Sequence, residues 1–134
     1  MDNWLVSFWL PGQPPRKSNS RMVVRNRGHT RVIKSPEARA WVAEALARIV
    51  PEDRRELGSS ERPLSIQFDC YYESRRPDLS VELVLDVLER AGVIANDRHV
   101  HAYTARKHFS KAHPGVWVKI GYLEESNDEN RVDP

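Results

Sequence analysis

A single mixed α+β domain is the fold class this sequence predicts, with two main helices packed on a sheet of strands from both ends of the chain. Three observations predict it. Leu64–Tyr72 alternates apolar and polar residues, the pattern of a strand with one buried face. Two segments carry apolar residues at helical spacing: Ala38, Trp41, Val42, Ala45, Leu46 and Ile49, then Leu79, Leu83, Val84, Val87, Leu88 and Ala91. The length, 134 residues, suits one core and not two. Residues 1–123 form the expected domain, and 124–134 an acidic flexible tail too polar to order itself.

Taken in order, Asn3–Leu10 is rich in aromatic and branched residues and reads as a first strand. Pro11-Gly-Gln-Pro-Pro15 ends it, because proline lacks a ladder donor and restricts the residue before it. Met22–Arg25 and Arg31–Ile33 read as short strands joined by a turn around Arg27-Gly28. Ser35-Pro36-Glu37 opens the first helix with an N-cap serine, a proline at the first position and an acid in the first turn. Pro51 stops that helix, and residues 51–63 make a charged connection.

On Leu64–Tyr72, Leu64, Ile66, Phe68, Cys70 and Tyr72 take the inner face and Ser65, Gln67, Asp69 and Tyr71 the outer. Cys70 is thus a small core hydrophobe. The second helix closes at Gly92, in the usual place for a glycine just past a helix end. Val100–Lys107 and Val116–Leu123 read as closing strands.

The bulk composition narrows the class. No apolar run is long enough to span a membrane, and the first ten residues lack the charged start of a signal peptide. A lone cysteine forms no internal disulfide, which suits a reducing cytoplasm. The net charge of +2 hides a polarised layout. Between Asn3 and Pro36 there is no acid, while Arg16, Lys17, Arg21, Arg25, Arg27, Arg31 and Lys34 are basic. Such a run either is a solvated loop or binds a polyanion, where neutralising phosphates releases condensed counterions. There is no glycine-rich phosphate loop of either common type.

The chemistry-bearing residues concentrate between Ser74 and Val100. If the second helix begins near Asp78, then Asp78, Glu82 and Asp86 fall at i, i+4 and i+8 on one side of it. Arg75 and Arg76 precede them, and Asp97 follows beside Arg98. Carboxylates in this number suit Mg²⁺, which takes oxygen ligands and keeps several waters. Equally, Asp78 is a good N-cap, Glu82 and Asp86 suit a solvated helix face, and Asn96-Asp97 is a good turn pair. Asp69, on the polar face of the preceding strand, is an outside candidate for a further ligand. His99 and His101, two apart on an expected strand, lack the partners of a zinc motif.

These residues together resemble the RusA family of Holliday-junction resolvases, small endonucleases of bacteria and their phages. Leu10-Pro-Gly-Gln-Pro-Pro-Arg-Lys-Ser-Asn19 is similar to the family's proline-rich opening and basic loop. Lys34-Ser-Pro-Glu-Ala-Arg-Ala-Trp41 resembles the start of its first helix. Arg76-Pro-Asp-Leu79 resembles the start of its RPDLDN-type motif. Leu85-Asp-Val-Leu88, Ala91-Gly92 and Asn96-Asp-Arg-His-Val100 resemble its later elements.

The resemblance implies a RusA-like fold, a cytoplasmic homodimer, and Mg²⁺-dependent cleavage of opposed strands of a four-way DNA junction, with Mn²⁺ as a substitute. It implies Asp78 and Asp97 as catalytic metal ligands. Ser80 stands where the family has its second aspartate, and the spacing from this motif to the LDAL-like element is two residues short, which removes the usual lysine position from the helix. Without a gap, Asp78 falls on the second aspartate and Glu82 on that lysine. Glu82 is therefore the expected replacement carboxylate, Asp86 a further ligand and Lys107 the replacement cation. Arg16, Lys17, Arg21, Arg25, Arg27, Arg75, Arg76 and Lys107 are the expected DNA contacts. The alternative is a branched-DNA-binding protein on the same scaffold that has lost its chemistry.

Overall fold

The structure, a computed structural model, describes residues 3–16 and 20–124. Lys17 and the tail beyond Glu124 lie outside the described residues. Among the described residues, six strands and two α-helices follow in the order β1 (Val6–Pro11), β2 (Arg21–Asn26), β3 (His29–Lys34), α1 (Pro36–Arg48), β4 (Leu64–Tyr72), α2 (Glu82–Arg90), β5 (Val100–Phe109) and β6 (Gly115–Tyr122). They form a single small α+β domain.

The main sheet is mixed, in the order β1-β6-β4-β5. β6 runs antiparallel to both β1 and β4, whereas β4 and β5 are parallel. A parallel pair needs a crossover, and residues 73–99, with α2 inside them, provide it. β2 and β3 make a separate two-stranded sheet. Its turn holds Arg27 and Gly28 at φ of 51° and 80°, the left-handed pair that lets a two-residue hairpin follow the strand twist.

The inner face of β4 is buried along its whole length, as the alternation requires. Both helices cover this face. α1 contributes Trp41, Val42 and Ala45, and α2 contributes Val84, Val87 and Leu88, to one cluster with Leu64, Ile66 and Phe68. The Ser35 side chain accepts a hydrogen bond from the Ala38 amide at 3.1 Å, a cap worth about 1 kcal/mol. Among the described residues no helix is long and apolar enough to cross a membrane.

One element departs from expectation. α2 begins at Glu82, not near Asp78, and Leu79 is 38% exposed instead of lining the core. The cause is tethering. The Tyr72 hydroxyl accepts from the Ser80 amide at 3.4 Å, Lys107 Nζ donates to the Arg75 carbonyl at 2.6 Å, and Val81 inserts into the core. These contacts hold residues 75–81 non-helical, and Val81 takes the capping position with no side-chain cap.

Candidate functional site

The helix that starts at Glu82 presents Glu82, Asp86 and Glu89 at i, i+4 and i+7, one stripe of its surface. That stripe faces the basic hairpin across a groove of about 980 Å³. Arg21 and Lys34 line it from the hairpin, Arg39 from α1, and Asp97 from the turn before β5. Arg21 pairs with Glu82, Lys34 Nζ lies 3.3 Å from Asp86 Oδ2, and Arg90 lies 3.8 Å from the same oxygen. Asp97 is held at the groove's end, its amide donating to Glu89 Oε1 at 3.4 Å.

The structure therefore brings Glu82, Asp86 and Asp97 to one groove and leaves Asp78 out of its lining. Asp78 lies on the extended run before the helix, so the expected i, i+4 relation with Glu82 does not form. Its charge is instead felt at Tyr72. Burial above all, then Cys70, with Asp78 as a lesser contributor, push that hydroxyl up to about 12. Arg75, Arg76 and Lys107 share this second locus: Lys107 holds the Arg75 carbonyl, and Arg75 sits 5.5 Å above the Phe109 ring. Glu89 was not among the expected residues; its signal is the i+3 step from Asp86.

Other expectations resolve by placement. Arg16, Arg25 and Arg27 are exposed. Asp69 stands on the opposite face of the sheet, bonded by Gln67 Nε2 at 2.9 Å and His108 Nε2 at 2.7 Å, and is no part of the groove. Burial alone would raise its pKa. The Gln67 and His108 hydrogen bonds and the His108 and Arg106 charges outweigh burial and hold the carboxyl below its usual value. His99 falls in the turn before β5, so it does not share a strand face with His101. Burial, aided by the Asp69 charge, pushes the Cys70 thiol up to about 12, so it is an inert core residue.

The fit of a divalent cation can be judged from the donors. All are hard carboxylate oxygens, the kind Mg²⁺ prefers. Asp86 Oδ2 is buried without a hydrogen bond, because the nearby Lys34 ammonium is close but poorly aligned. Among the described residues no three His, Cys, Asp or Glu side chains are gathered to hold a metal. Mg²⁺ commonly needs only one or two carboxylates, with waters and substrate phosphates completing its shell. The donors thus fit the ion in kind, as a site completed by substrate. Comparison with protein-family models and with curated proteins gave no match.

Proposed function

We propose that this chain is a structure-selective endonuclease of the RusA type, which cuts opposed strands of branched DNA from a homodimer and uses Mg²⁺. The observation that carries the reading is the groove itself: Glu82, Asp86, Glu89 and Asp97 collected beside a hairpin rich in arginine. A phosphodiester enzyme needs anionic oxygens for the ion and cations for the strand, and here they share one cleft.

One or two of Glu82, Asp86 and Asp97 would hold the ion, with waters and substrate phosphates completing its shell. When bound, Mg²⁺ activates a water for attack and stabilises the departing oxygen. The chain's own residues set up the encounter. Arg16, Arg21, Arg25 and Arg27 take phosphates. Arg21 leaves Glu82 to do so, and such an exposed pair contributes at most about 1 kcal/mol, so the exchange is cheap. A twofold dimer would match two sites to two symmetry-related strands.

The second reading is a junction-binding protein without chemistry. Two observations favour it: Arg21 and Lys34 already neutralise the carboxylates, and Asp78 stands outside the groove. One experiment separates the two. A synthetic four-way junction and a linear duplex are incubated with Mg²⁺ and wild type, Asp78→Asn, Glu82→Gln or Asp97→Asn. Paired nicks on opposed junction strands, abolished by Glu82→Gln and Asp97→Asn, are expected. Tight junction binding with no nicking under Mg²⁺ or Mn²⁺ would replace the nuclease by the binder.

A further inference from the structure

Three of the four tryptophans do not enter the core between helices and sheet. They lie on the sheet's other face, which no described helix covers. Trp117 stands on β6 and is 41% exposed. Trp9 pairs with it in register, rings 5.6 Å apart, and lies across Gly115, where an added Cβ would meet the indole at 2.4 Å. Trp4 lies over Gly121 in the same way. Tyr71 of β4 meets Trp9 edge-on at 5.7 Å and stacks on His108 of β5 at 4.5 Å. The result is an aromatic surface across all four strands, made possible by two glycines that leave room for rings.

The charges on this face point to its occupant. Arg106 and Lys119 occupy it, sharing rungs with Asp69 and Gln67 respectively. Among the described strand positions Asp69 is its single acid, and His108 and Gln67 already occupy that carboxylate. A second copy stacked on this face would bring like charges together. A polyanion with flat, apolar rings would satisfy both features at once, since bases stack on aromatic side chains while phosphates meet the cations.

We infer that the open sheet face is a binding platform for single-stranded nucleic acid, with unpaired bases stacked on Trp117, Trp9 and Tyr71 and the backbone tracked by Arg106 and Lys119. The platform is separate from the carboxylate groove, and the inference does not depend on cleavage. It adds a single-strand site to a molecule whose other cleft is read as meeting branched duplex.

The test uses the full chain and its tryptophan fluorescence. A short oligo(dT) is titrated alongside an abasic oligonucleotide of equal length, which keeps the phosphates and removes the rings. Oligo(dT) should quench the signal and bind at least about tenfold tighter than the abasic strand. Trp117→Ala, at an exposed position, should erase that margin and leave abasic binding unchanged. Arg106→Gln with Lys119→Gln should weaken both ligands alike and reduce the salt slope. Equal affinity for the two strands overturns the inference. So does sedimentation showing that Trp117→Ala splits a dimer while oligo(dT) affinity stays the same; the face then belongs to a second copy.

Discussion

The molecule holds two sheets, and they are built on opposite principles. The four-stranded sheet is fixed by what it buries: Leu64, Ile66, Phe68 and Cys70 are fully enclosed beneath two helices. The two-stranded sheet has no buried residue along either strand, and Val23 and Val32, paired in register, are each 64% exposed. Arg21 and Lys34 tie it to α2 through exposed or half-exposed ion pairs. An element held largely by exposed charge can trade its partners for phosphates more readily than one held by packing. The difference separates scaffold from gripping arm.

The contrast is breakable in three ways. Phe68→Ala removes a fully enclosed ring from the main sheet and should cost about 3–5 kcal/mol in urea unfolding. Val23→Ala on the hairpin should stay within about 0.5 kcal/mol. Comparable losses at the two positions would show that the hairpin is part of the packed structure after all.

Next in size is a pH effect on the open face. The Asp69 pKa is lowered in the folded chain, so its contribution is full above the ordinary carboxylate value of about 3.9. That contribution disappears as pH falls through the folded value. Hydrogen bonds to a charged group are worth about 1.5–3 kcal/mol, so wild type should lose stability on acidification more steeply than Asp69→Asn. Parallel curves of unfolding midpoint against pH would deny Asp69 this role.

The smallest effect falls on the hairpin tether. Arg21→Gln should lower global stability by less than about 1 kcal/mol, yet it should speed amide exchange across Arg21–Asn26. Unchanged exchange there would mean the ion pair does not hold the arm.

Much of the scaffold could be read in advance, because its signals are local. Strand β4 follows the alternation from Leu64 to Tyr72 end to end, and Ser35-Pro36-Glu37 marks the start of α1. Arg27-Gly28 marks the hairpin turn. The start of α2 could not be read this way. Arg76-Pro-Asp-Leu79 has the composition of a helix opening, but the nearby Tyr72 hydroxyl and Lys107, distant in sequence, hold the backbone on either side and displace Asp78 from the carboxylate stripe. Glu89 could have been read from the sequence, since it lies three residues after Asp86 and on the same stripe whichever start is taken. Alternation shows that β4 has two faces, but not that helices cover only one. The tryptophan surface therefore came to light only with the topology.

Strand β6, Gly115–Tyr122, lies between β1 and β4, so an interior strand of the sheet is also the last described strand. During synthesis β1 emerges early and has no partner until β6 arrives, more than a hundred residues later. The sheet therefore closes only once β6 has been made, and its pairing joins residues more than a hundred apart in sequence, a topology associated with slow folding. A product ending before Gly115 would carry two open strand edges, on β1 and β4, ready to pair with another chain. Truncation before Gly115 should thus yield an aggregation-prone fragment rather than a shortened working protein.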